Sequence, residues 1–142
     1  MSSPLSPAGF PPSSVTTLLR LEGVLVLGAA LLAYHGLGGN WWLFALLLLV
    51  PDLSMLGALL GPVIGAKAYN AAHTYLVPGL FGLAAWALGL TFLAPFALIW
   101  VAHIAMDRAL GFGLKYPGLD HHTHLGLIGK ARKEANALAN PA

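Results

Sequence analysis

WWLFALLLLVPDLSMLGALL, residues 41–60, carries one charge, Asp52, in twenty residues. A helix needs roughly 20 mostly apolar residues to cross a hydrocarbon core about 30 Å thick. This stretch therefore reads as a membrane span, with Trp41 and Trp42 in the aromatic belt of the outer interface. Its composition is that of the whole chain. The 142 residues are 58% hydrophobic and 8% charged, against about 25% charged in soluble proteins, and the mean hydropathy is +0.77.

Three more apolar runs flank it, at Leu18–Leu37, Lys67–Phe92 and Pro95–Phe112. The links between them are short: GLGGN at 36–40, GPVIGAK at 61–67 and LAP at 93–95. Short links make consecutive helices antiparallel neighbours. The expected fold is all-α, an integral membrane bundle of four antiparallel transmembrane helices over residues 18–113. Residues 1–17, rich in Pro and Ser, are expected as a disordered tail. Residues 114–130 form a His-containing cytoplasmic segment, and residues 131–142 a polar tail or frayed helix. Arg20, Lys67, Arg108, Lys115, Lys130, Arg132 and Lys133 all fall on one side of this arrangement. By the positive-inside rule both termini are then cytoplasmic, with the chain integral to the cytoplasmic (inner) membrane.

Ionisable groups inside a bilayer cost about 2.5–3.5 kcal/mol each on insertion scales, so they are candidate functional residues with partners nearby. Glu22 lies on the first run, Asp52 on the second, Asn70 and His73 on the third, and His103, Asp107 and Arg108 on the fourth. At about 1.5 Å per residue, Asp52 and His103 both come out roughly 13 Å from the cytoplasmic helix ends. His73 and Asp107 come out somewhat shallower, and Glu22 shallower again. His103 and Asp107 are four apart and share a helix face; Arg108 points about 100° away. Pro51 before Asp52, and Pro78 beyond Thr74, each remove a helix N–H and open the backbone where a cavity could use it. Gly57, Gly61 and Gly65 carry small-residue spacing that suits close helix packing.

Imidazoles and carboxylates from different helices make a mixed nitrogen and oxygen donor set, suited to zinc, manganese or iron. Asp52, His73, His103 and Asp107 are the expected ligands. Glu22 and Asp107 are the expected catalytic carboxylates, with Glu22 as a general base or a support to the ligands. Arg20, Asn70, Arg108, Lys115 and His124 are expected at the mouth, where basic groups would hold a phosphate or an anionic headgroup. The stretch KYPGLDHHTHLG, with Asp120, His121, His122 and His124, is a His-rich tract that could itself bind metal, a solvated loop, or a cap that brings His124 to the site. No haem or nucleotide signature is present, and the expected partners are membrane lipid and a second copy of the chain, not nucleic acid. There are no cysteines, so thiolate ligands are excluded. The resulting expectation is a metal-dependent membrane hydrolase acting on a lipid-like or phosphate-bearing substrate. A small proton-coupled transporter is the second reading, and a bundle held by polar contacts alone the third.

The chain resembles a family of small bacterial integral membrane proteins known as domain of unknown function 4260. The matching stretches are LLRLEG (18–23), AYHGLGGNWWLFALL (33–47), PDLSMLG (51–57), GAKAYNAAHTY (65–75), AHIAMDRALGFGLKY (102–116) and THLG (123–126). The resemblance implies the membrane architecture and a shared polar set: Arg20, Glu22, His35, Asp52, Asn70, His73, His103, Asp107, Arg108, Lys115 and His124. It implies no activity. PGLDHH departs from the family pattern, which leaves His121 and His122 outside the implied set.

Overall fold

A computed structural model describes residues 13–139 of the chain. It is mostly helical. Helix α1 spans Ser13–Gly36 and α2 Trp41–Leu47; a 3-10 helix spans Val50–Leu60; α3 spans Pro62–Ala72, α4 Leu76–Ala87, α5 Ala94–Leu110 and α6 Gly129–Ala139. Of the tail expected at 1–17, residues 1–12 lie outside the described residues, and 13–17 already belong to α1. Three stretches are long and apolar enough to cross a membrane: Ser14–Gly36, Trp41–Leu60 and Thr91–Leu110.

The third apolar run differs from the single helix expected. It begins at Pro62, not Lys67, and breaks at residues 73–75 into α3 and α4, each too short to span alone. Pro78 accounts for the break. It has no N–H to return to the Thr74 carbonyl, but as the third residue of α4 it occupies a first turn, where such bonds are not made anyway. The expected loop at 61–67 shrinks to Gly61, whose φ of 116° and ψ of 160° reverse the chain in one residue.

The second run also changes character midway. Pro51 cannot donate to Leu47, and Asp52 N–H bonds Leu49 three residues back, which starts the 3-10 geometry. With three residues per turn, Asp52, Met55 and Ala58 fall in one line. Ala58 lies against Gly65 and Gly57 against Ala68, so α3 runs back antiparallel along the 3-10 helix. That register sets His73, at the end of α3, opposite Asp52.

Helix α1 packs antiparallel along α5: Gly23 sits on Ala105, Arg108 and Ala109, and Ala30 and Tyr34 join Ile99 and Ala102 in the buried core. Arg20 reinforces the pair by donating from Nε to the Ala109 carbonyl at 2.9 Å. Beyond α5 the segment at 114–130 is a small antiparallel sheet: β1 (Lys115–Tyr116), β2 (Leu119–Thr123) and β3 (Gly126–Leu127). Asn70 fastens it to α3, its Nδ2 donating to the Lys115 carbonyl and its Oδ1 accepting the Lys115 N–H, both at 2.7 Å.

Candidate metal centre

Four side chains from three elements converge where α3 ends. Asp52 comes from the start of the 3-10 helix, His73 from the break after α3, and His103 and Asp107 from successive turns of α5. One ligand atom from each lies within 4.8 Å of all the others. His73 Nε2 is 3.3 Å from Asp52 Oδ1, 3.5 Å from Asp107 Oδ2 and 3.1 Å from His103 Nε2. His103 Nε2 is 3.5 Å from Asp52 Oδ1 and 3.7 Å from Asp107 Oδ2. Tetrahedral ligands at about 2.1 Å from an ion are about 3.4 Å from one another, and these five separations lie close to that distance.

The chemistry of the donors agrees with the spacing. His73 Nδ1 is 2.9 Å from the Tyr69 carbonyl, which can only accept, so Nδ1 carries the hydrogen and Nε2 of the neutral ring presents a lone pair. Metal-binding histidines are commonly held this way, by a carbonyl on the far nitrogen. The Tyr69 ring stacks on that of His73 at 3.8 Å and 14°, fixing its plane. Even with a hydrogen on His103 Nε2, the contacts of His73 Nε2 with Asp52 and Asp107 would stay pairings of acceptors. Two carboxylates and two neutral imidazoles carry a charge of −2, which a divalent cation balances. This group could hold a metal ion.

Access is one-sided. Both histidines are fully buried, the Asp107 side chain is 13% exposed and that of Asp52 40%. His103 Nδ1 is buried without a hydrogen-bond partner, and so is Ser54 Oγ, two residues from Asp52.

The break that delivers His73 frees two carbonyls, and α5 satisfies both. Trp100 Nε1 donates to Ala72 O and Arg108 Nη2 to His73 O, each at 2.7 Å. Arg108, read from the sequence as a residue of the mouth, is 7% exposed and holds the backbone of the site together. Asn70, also expected to bind substrate, has both ends of its amide engaged by the Lys115 backbone. Lys115 sets its ammonium 4.3 Å from the centre of the Tyr69 ring. Glu22 and His124 are not among the four clustered ligands; they line a separate cavity with Thr74, Tyr75 and Arg108. His124 does belong to a folded cap, where its Nδ1 accepts the Leu114 N–H at 2.9 Å. Arg20 bonds the end of α5 and does not enter the site. Tyr69 and Trp100 are not among the residues expected from the sequence, although a tyrosine one turn before His73, and an indole N–H that needs an acceptor inside an apolar run, carry the signal.

No curated protein and no solved structure matches the chain significantly. The model of one family, described as Domain of unknown function (DUF4260), matches residues 16–128. That range holds all but the first residues of α1, then α2 to α5, the sheet and all four residues of the centre, and the chain belongs to this family.

Proposed function

We propose that the protein is a metal-dependent membrane hydrolase whose centre is Asp52, His73, His103 and Asp107, acting on a lipid-like or phosphate-bearing substrate from the cytoplasmic leaflet. The observation that carries this reading is the convergence of four donor atoms, five of their separations lying between 3.1 and 3.7 Å, with Asp52 the most exposed of the four. In this reading the four apolar runs all cross the inner membrane, the third as a broken helix, and both termini are cytoplasmic. Leu25, Leu32, Leu59 and Trp86, each more than 70% exposed, would face lipid. Irregular backbone at membrane depth is tolerated where it lines a cavity, and a break beside buried ligands fits that rule.

Zinc, manganese or iron bound there would supply a water of near-neutral pKa where the more exposed Asp52 leaves a coordination position for it. His73, its tautomer held by Tyr69, and His103 would bind from the closed side. Asp107 would fix the ion against α5. Asp52, the most exposed of the four, would take the proton of the attacking water. Glu22, lining another cavity, has no part in this step.

Element analysis of the protein purified in detergent tests the reading. About one equivalent of a transition metal is expected, with loss of most of it in His103→Ala and Asp107→Ala. Less than about one tenth of an equivalent, with no rebinding at micromolar concentration, would overturn it.

A further inference from the structure

The cavity that holds Glu22 and His124 has a volume of about 320 Å³ and lies between α1, the start of α4, the end of α5 and the cap. None of the four clustered ligands lines it. Its deepest charged group is Arg108. A guanidinium has five N–H groups; one bonds His73 O and one Phe112 O, at 2.7 and 2.8 Å, which leaves three. Both acceptors are neutral. Among the described residues no carboxylate forms an ion pair with Arg108; the ion pairs belong to the centre and to Lys130 with Glu134. Glu22, on the α1 wall of the same cavity, does not reach it. A buried cation without a counter-ion is costly, and an anion in the cavity would remove that cost.

Three of the other lining residues carry donors, beside the apolar Leu19, Val26 and Leu114. His124 accepts the Leu114 N–H at Nδ1, so in the neutral ring Nε2 carries the hydrogen. Thr74 Oγ1 accepts Leu76 N–H at 3.4 Å and keeps its own O–H to donate. Tyr75 adds a second hydroxyl. These groups come from the break before α4, from α5 and from the cap. Donors that converge from several elements suit a tetrahedral oxyanion with several oxygens better than a flat carboxylate, and the planar fork of Arg108 suits phosphate. We propose that this cavity is a second site, distinct from the metal centre, that binds a phosphate group, either free or on a lipid headgroup.

Calorimetric titration of the full chain in a non-ionic detergent tests this with two probes, inorganic phosphate and dihexanoyl phosphatidic acid. Binding of both assigns the site to free phosphate; binding of the lipid probe alone assigns it to a headgroup. In either case Glu22→Gln, which removes a carboxylate from the cavity wall, is expected to tighten binding about fivefold. Thr74→Val should weaken it about fivefold, the effect of one lost donor. Arg108→Gln should abolish it, and because that variant also releases the His73 carbonyl, Glu22→Gln is the deciding one. The proposal is overturned if neither probe binds, or if binding is indifferent to both Glu22→Gln and Thr74→Val, as phosphate on the metal itself would be.

Discussion

At His73 one ring is held on three sides: Nδ1 by a carbonyl one turn back, its face by the Tyr69 ring, and Nε2 among two carboxylates and a second imidazole. His124 is the contrasting residue, partly buried in a different cavity and available to pH. Burial lowers its pKa from the ordinary 6.5, and the Arg108 guanidinium across the cavity lowers it further. Glu22 and Tyr75 are the other titratable groups lining that cavity. The ring can accept the Leu114 N–H only while Nδ1 is unprotonated. A histidine whose folded pKa is depressed binds fewer protons folded than unfolded, so its contribution to stability rises with pH. That contribution is complete above pH 6.5, declines as the pH falls below it, and is gone under the folded pKa. His124→Asn keeps an acceptor for Leu114 and removes the titration. The variant is expected to lose less stability than the parent between pH 7 and pH 5 in parallel denaturation curves. Equal losses would show that His124 does not titrate differently on folding.

Among the helices, glycines mark where packing is tight and where it is not. A Cβ at Gly23 would stand 2.7 Å from Ala109 N and 2.8 Å from Arg108 Cβ, while one at Gly28, five residues along α1, meets nothing within 4 Å. Gly23→Ala must push α1 off α5, and overpacking of that kind costs about 1–3 kcal/mol. Gly28→Ala relieves a flexible position in a helix and is expected to be neutral or to stabilise by up to about 1 kcal/mol. Thermal unfolding of the two single variants checks the contrast, and equal effects would mean that α1 and α5 do not approach as closely as described. The elements show where sequence reasoning carries and where it stops. His103 and Asp107 were legible because helical periodicity puts residues four apart on one face, and Asp52 and His73 because a charge or imidazole in an apolar run needs a partner. The break at residues 73–75 was placed one turn late, at Pro78 itself, because a proline disturbs the turn before it. The roles of Arg108 and Trp100 follow from that break: carbonyls at 72 and 73 become acceptors only once the helix stops. The strands at 115–127 carry no alternation to read, since they are two to five residues long and fixed by Asn70.

As a whole the molecule is two antiparallel pairs, α1 with α5 and the 3-10 helix with α3. Within each pair small residues bring the backbones together, at Gly23 against Ala109 and at Gly65 against Ala58. Between the pairs the joints are two side chains from α5, Trp100 on Ala72 O and Arg108 on His73 O, and the cluster of four ligands. Asp52 and His73 belong to one pair, His103 and Asp107 to the other, so an ion at their centre would bond both. Binding of this kind adds folding stability by mass action, about 2.7 kcal/mol when free metal is 100 times the dissociation constant. Removing the ion would also leave two carboxylates facing each other across the joint. Chelation is therefore expected to lower the unfolding midpoint by several degrees and to leave His103→Ala, which lacks the site, unchanged. Spin labels at Leu32 on α1 and Leu59 on the 3-10 helix, 75% and 84% exposed, sit one on each pair. Their distance distribution should broaden when metal is stripped and narrow again when it is restored. An unaltered midpoint and an unaltered distribution would mean that α4, packed on α5, holds the pairs together without help from the centre.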